Sequence, residues 1–237
     1  MKPKGQVIIT GVSSGIGHAI ATKALAEGYY VQGISRNEPL DLRGKGRWSF
    51  FSADLTRPEA IDTIPFMTGD AGGPTILINN AGVLGPVCKS EEATWKNINK
   101  TMNLNIVAPM RLSARFLAEV KGDKQIYFTG SGAAEHVIEG WSAYCTSKAG
   151  IHMYANVLQQ EYPEVRIHAF KPGKVDTPMQ EEIRRSREEN FPLVEAFRKE
   201  HEEGKLVKPD VVAQKVLKLI GEPADVPVVV SLSEIEL

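Results

Sequence analysis

Several large protein classes are excluded by what this chain lacks. It holds only two cysteines, Cys88 and Cys145, in 237 residues, too few for a disulfide framework and in no cluster that resembles a metal site. Free thiols in a reducing cytoplasm are the expectation. No apolar run approaches the ~20 residues that a membrane span needs. Neither charge sign is in excess: 28 Lys and Arg against 29 Asp and Glu leave a formal net charge of −1. Bulk attraction to nucleic acid or to an anionic membrane is therefore not expected. The start, Met1-Lys2-Pro3-Lys4-Gly5, leads into a β-branched run rather than into the apolar stretch of a signal peptide. His136, His152 and His168 have no ligand-like spacing, so no metal is expected. No repeat, low-complexity tract or linker divides the chain, and with 42% hydrophobic residues it reads as one domain over 1–237.

Short β-branched runs alternate with helical patterns throughout. Strands are predicted at Gln6–Thr10, Tyr29–Ile34, Trp48–Ala53, Thr75–Asn79, Gln125–Thr129, Val165–Phe170 and Val226–Ser231. Helices are predicted at Gly15–Glu27, closed by Gly28, and from a cap at Thr56 with Pro58 in its first turn. Three more cover Thr94–Val120, with a kink or break at Pro109, then Ser142–Glu161 and Pro209–Ile220. Gln180–Lys205 carries both charge signs with Phe191, Leu193, Val194 and Phe197 interleaved, the pattern of an amphipathic helix, either lying over a cleft as a lid or solvated on the surface. The alternation predicts an α/β fold, a seven-stranded parallel sheet with helices on both faces.

Gly11-Val12-Ser13-Ser14-Gly15-Ile16-Gly17 joins the first strand to the first helix. Gly11 suits a tight turn, Gly15 leaves room for a pyrophosphate, and Gly17 lets helix and strand pack closely. The helix N-terminus then offers N–H groups to a phosphate, and Ser13 and Ser14 add hydroxyls. A bound dinucleotide is the expectation. At the end of the second strand, where an acid would accept from a ribose 2′-hydroxyl, stands Ser35-Arg36. An arginine there holds a 2′-phosphate, which points to NADP(H) over NAD(H); the plainer role for Arg36 is a solvated surface side chain. Asp54 suits either the adenine amino group or a turn.

Tyr144 and Lys148 stand four residues apart in a predicted helix and so share a face. A phenol is a poor acid at neutral pH, and a nearby cation lowers its pKa. Ser131, just past the fifth strand, is placed to hold an oxygen on which charge develops; in Gly130-Ser131-Gly132 it also suits a plain turn. Trp141 fits both stacking on an aromatic ligand and packing at a helix start.

Taken together, the run Thr10 to Gly17, Asn79-Asn80-Ala81-Gly82, Asn105, Ser131, Tyr144-Cys145-Thr146-Ser147-Lys148 and Pro172-Gly173 resemble a short-chain dehydrogenase/reductase over nearly the full length. The resemblance implies a Rossmann-type doubly wound domain and carbonyl reduction with NADP(H). It makes Tyr144 the proton donor, Lys148 its pKa-lowering partner and Ser131 the residue that positions the oxygen. Asn105 would hold a relay water. Asn80, Ala81 and Gly82 would flank the cofactor, with Val175 and Thr177 on the nicotinamide carboxamide. Ser131-Gly132-Ala133-Ala134, Gly140 to Cys145 and Pro172 to Gln180 are similar to (S)-benzoin-forming benzil reductases, the last stretch also to sepiapterin reductase. Asp176 and Met179 would then line a substrate pocket for a small carbonyl compound, with Lys174 where a smaller or apolar residue is more usual. A homodimer or homotetramer is implied as well. The competing readings are a non-catalytic NADP sensor, and an alcohol dehydrogenase or pteridine reductase of the same fold.

Overall fold

With every side chain of β1 (Gln6–Thr10) and β4 (Thr75–Asn79) buried, the centre of the sheet has no solvent face. This is why both read as continuous apolar runs rather than as alternating ones. The computed structural model describes residues 3–67, 72–221 and 226–237; Met1 and Lys2 of the opening run lie outside them. β2 (Tyr30–Ser35) and β3 (Trp48–Ser52) flank β1 on one side. On the other side of β4 follow β5 (Lys124–Thr129), β6 (Arg166–Lys171) and β7 (Val229–Ser231). The order is β3-β2-β1-β4-β5-β6-β7, every pairing parallel. The chain reverses its direction of growth between β1 and β4, so loops at the carboxyl ends of these strands part there and leave a crevice.

Period-2 alternation divides the core. Val7 and Ile9 face one side, with α1 (Gly15–Ala26) and α8 (Pro209–Gly221). Ile8 faces the other side, with α2 (Pro58–Asp62), α4 (Ala108–Glu119) and α5 (Ser142–Glu161).

Several boundaries differ from the sequence reading, each for a local reason. The strand predicted from Val226 pairs with β6 only from Val229, because Pro227 has no N–H to give to a ladder. Thr56 does not cap α2: Arg57 holds that position without a side-chain bond, and Asp54 takes the Thr56 amide and hydroxyl at 3.0 and 2.8 Å. The helix expected over Thr94–Val120 is interrupted. α3 (Trp95–Met102) passes through a π-helical turn, Asn103–Val107, into α4. Pro109 cannot donate to the Asn105 carbonyl, so the turn before it widens, and the Ala108 amide bonds Asn103 five residues back. The segment Gln180–Lys205 forms two helices rather than one, α6 (Pro178–Arg184) and α7 (Val194–Glu202). Pro192 lies between them and biases Phe191 away from helical backbone.

Candidate active site

The crevice at the carboxyl ends of the strands is a cleft of about 640 Å³, within the usual size range of ligand pockets. Its floor is main chain. Gly11 turns the chain out of β1 at φ +75°, and a Cβ there would lie 2.8 Å from the Ala81 Cα. A Cβ on Gly17 would lie 2.3 Å from the Gly11 carbonyl oxygen and 2.4 Å from Asn80 Nδ2. Both positions demand glycine because backbone meets backbone. Asn80 ties three strand ends together: its Nδ2 donates to the Thr10 carbonyl at 3.0 Å, and its Oδ1 accepts from the Thr129 hydroxyl at 3.2 Å. Thr10 Oγ1 in turn accepts the Asn80 and Ala81 amides, each at 3.0 Å. Ser14 sits at the N-cap of α1 in extended conformation without a capping bond, which leaves the first-turn amides of that helix for a ligand.

Nearly all the residues singled out in the sequence meet on this cleft. Gly11, Ser13, Ser14, Gly15, Ile16, Arg36, Asp54 and the Asn80-Ala81-Gly82 turn line it. So do Ser131, Trp141, Tyr144, Lys148, Pro172, Gly173, Val175, Thr177 and Met179. Gly17 sits behind the loop. Asn105 is buried behind the Gly82 turn, its amide clamping both the Val83 amide and carbonyl at 3.0 and 2.9 Å and donating to the Ser147 hydroxyl at 3.0 Å. Asp176 does not line the pocket. Val175 pairs with Val207 in a parallel bridge, and the Asp176 amide donates to the Val207 carbonyl at 2.9 Å. In that extended segment Val175 and Thr177 face the cleft, so Asp176 between them faces solvent.

Electrostatics differ between the two ends. Arg36 is exposed, and its charge helps Asp54. Burial alone would push the Asp54 carboxyl up, but the Thr56 hydrogen bonds and Arg36 bring it below the ordinary carboxylate value. At the other end Tyr144 is buried, and burial raises its pKa; a hydrogen bond from Ser131 pulls the other way. Lys148 is buried too, which lowers its pKa to about 8. Its ammonium lies 5.6 Å from the centre of the Tyr144 ring and donates to the Thr129 carbonyl at 2.7 Å. Burial, rather than the neighbouring ammonium, sets the direction of the Tyr144 shift. Thr129 went unnoticed in the sequence, its one signal being its place at a strand end; Thr10, quoted only as the start of the glycine run, and His152, weighed only as a metal ligand, were given no role in the site.

The far wall is made of side chains. Trp141 stacks on Phe191 with ring centres 5.0 Å apart and meets Tyr144 edge-on at 5.6 Å. Phe197 closes the group at 5.2 Å from Phe191. Trp141 is therefore a packing residue that also borders the cleft. Lys174 covers Phe197, its ammonium 4.3 Å from the ring centre, and pairs with Glu200 at 2.7 Å.

Residues 5–188 match the family model for short chain dehydrogenases. A benzil reductase ((S)-benzoin forming) of Bacillus cereus is 38% identical over 90% of this chain and 93% of its own length. A sepiapterin reductase of Xenopus tropicalis is 29% identical over 92% of this chain and 91% of its own. The crystal structure of the KRED1-Pglu enzyme superposes with a TM-score of 0.86 at 29% identity, covering 95% of this chain and 99% of that one. The chain belongs to the short-chain dehydrogenase family of oxidoreductases.

Proposed function

We propose that this short-chain dehydrogenase is an NADPH-dependent carbonyl reductase acting on ketones and vicinal diketones of the benzil type. The observation that carries the reading is one cleft holding Ser131, Tyr144 and Lys148 together with the glycine loop and Arg36. The residues fit a phosphorylated dinucleotide: the glycines leave main chain on the cleft floor, the α1 amides suit a pyrophosphate, and the Arg36 guanidinium makes no ion pair among the described residues and suits a 2′-phosphate. Bound there, the nicotinamide supplies a hydride.

Tyr144 gives its proton to the carbonyl oxygen as negative charge builds on it. Ser131 orients that oxygen through its hydroxyl. A buried phenol resists ionisation, so the phenolate left behind depends on Lys148, which with a pKa near 8 is protonated at neutral pH. Asn105, beside the Gly82 turn, stands where a relay water would return the proton. Trp141, Met179, Ile183 and Phe197 give the cleft an apolar, partly aromatic wall, which suits a phenyl ketone, and the likeness to a benzil reductase supports the same choice. α6 and α7 act as the cover of the cleft, the lid-like part of a single-domain enzyme. We further place the protein in the cytoplasm, with Cys88 and Cys145 as free thiols, as a homodimer or homotetramer. Met110, Met153 and Val157, exposed by 41, 64 and 43%, give α4 and α5 an apolar face for that contact.

NADPH consumption with benzil, run beside the Tyr144→Phe variant, tests the mechanism. Turnover should fall by about 10²–10⁴-fold in the variant while NADPH still binds. A wild-type protein that binds NADPH but reduces no diketone overturns the substrate assignment, and a fully active variant overturns the mechanism. Arg36→Ala should raise KM for NADPH much more than for NADH; equal effects sink the cofactor assignment.

A further inference from the structure

α5 presents Tyr144, Lys148 and His152 at four-residue spacing, hence on one face. The mechanism above uses the first two. His152 is only 7% exposed, an unfavourable place for an imidazole unless its ring nitrogens have partners. Nε2 lies 3.3 Å from the Ser131 amide nitrogen. Nδ1 lies 3.8 Å from the Glu135 carboxylate, which Lys171 holds at 3.0 Å. An amide N–H can donate only to a ring nitrogen that carries no proton, so this contact requires the proton on Nδ1, the side toward Glu135. Gly130 makes the approach possible, because a Cβ there would lie 2.4 Å from Nε2. Ser131 is thus held twice: its amide donates to His152, and its Oγ accepts the Ala133 amide at 3.1 Å.

We propose that His152 is a positioning residue for Ser131, its neutral imidazole accepting the Ser131 amide through Nε2 and so fixing the hydroxyl that meets the substrate oxygen. The catalytic consequence rests on the reductase reading; the contact does not. Burial disfavours the charged imidazole most. Glu135, on the turn after β5, favours it, while Lys148 on α5 and Lys171 at the end of β6 oppose it, and the net effect lowers the pKa to about 4. The neutral ring therefore persists across the physiological range. Protonation in acid would set an N–H of the ring against the Ser131 N–H.

Two measurements on the full chain decide it. Nitrogen NMR of ¹⁵N-histidine-labelled protein reads the tautomer, and kcat is compared for His152→Gln and His152→Leu. Gln keeps an acceptor near the Nε2 position and does not titrate; Leu keeps bulk without an acceptor. His152 should show a proton on Nδ1 and a bare Nε2 from about pH 8 to about pH 5, well below the ordinary histidine midpoint. The Leu variant should keep NADPH affinity and lose about tenfold in kcat, as small misplacements of a catalytic group do, with Gln within about threefold of wild type. A proton on Nε2, or titration at the ordinary value, overturns the contact. A Leu variant with full kcat, or a Gln variant as slow as Leu, overturns the positioning role. Should the wild type reduce no ketone, the reductase reading falls, and the ring-nitrogen spectrum still decides the contact with Ser131.

Discussion

The two sides of the cleft are made of different material. Around β1, α1 and β4 the surface is main chain, held by hydrogen bonds to Thr10 and Asn80 and by glycines whose missing side chains are filled by neighbouring backbone. Around α6 and α7 it is side chain: the rings of Trp141, Phe191 and Phe197, and the exposed pair Lys174–Glu200. Backbone contacts leave no room for substitution, whereas a packed ring can be exchanged for another of similar volume. In the proposed reading, a fixed side for the cofactor and a changeable side for the carbonyl compound would let one fold serve different substrates.

The strongest way to break this comparison is Gly17→Ala. The added methyl would meet the Gly11 oxygen at 2.3 Å and Asn80 Nδ2 at 2.4 Å. Overpacking of this kind costs about 1–3 kcal/mol, a drop in Tm of roughly 2–12 °C for a chain of this size, and the displaced loop should lose at least about tenfold in NADPH affinity. Met179→Leu, on the other side, conserves volume and should leave Tm and NADPH affinity unchanged while altering KM for the ketone. Calorimetry and cofactor titration of both variants settle the matter; a Gly17→Ala protein that binds NADPH as tightly as wild type removes the distinction.

Lys148 sharpens it from within, since it stands where the two sides meet. Its pKa is depressed from 10.5 to about 8 by burial, so between those values the unfolded chain binds the proton that the folded chain has lost. Stability therefore rises with pH across that window, and the full burial penalty, on the order of 3 kcal/mol, applies below it. Lys148→Met removes the penalty and forfeits the bond to the Thr129 carbonyl, worth about 1 kcal/mol net. Tm at pH 7 should rise by roughly 4–8 °C, the gain should shrink as pH approaches the ordinary lysine value, and turnover should be lost. Thermal melts across that pH range check the sign; a Tm that falls at neutral pH contradicts it.

The same division governs what was legible in the sequence. The strands themselves, the glycine loop and the Ser131, Tyr144 and Lys148 set are local patterns: apolar runs, short spacings, strand-to-helix turns. Glycine announces where backbone must come close, so the main-chain side reads well. Side-chain contacts between distant segments carry no such mark. Nothing in the spacing of Trp141 and Phe191 announces their stacking, and amphipathic periodicity alone joined two helices that the turns of residues 185–193 hold apart. Asp176 was misplaced because its pocket role was carried over by resemblance, while the alternation imposed by the Val175–Val207 bridge turns it outward. His152 had been weighed only as a metal ligand, for which it lacks spacing; its contact with Ser131 depends on a fold that brings residues 21 apart together.

The smallest effect is expected at Lys174. Its ammonium pairs with Glu200 and covers the Phe197 ring at 4.3 Å, yet 45% of its side chain is exposed. An exposed ion pair contributes at most about 1 kcal/mol, and an exposed cation over a ring about as much. Lys174→Met keeps the alkyl stem against Phe197 and gives up both charge terms, about 2 kcal/mol at the most, so Tm should fall by no more than about 8 °C. Because Lys174 borders the cleft on its side-chain wall, KM for the ketone should shift by about two- to fivefold, within the ~1 kcal/mol just allotted, while NADPH affinity stays at the wild-type value. Steady-state kinetics with both substrates varied separates the two. If cofactor affinity moves as far as ketone KM, the side-chain wall reaches across the cleft to the dinucleotide, and the two sides form one mechanical unit after all.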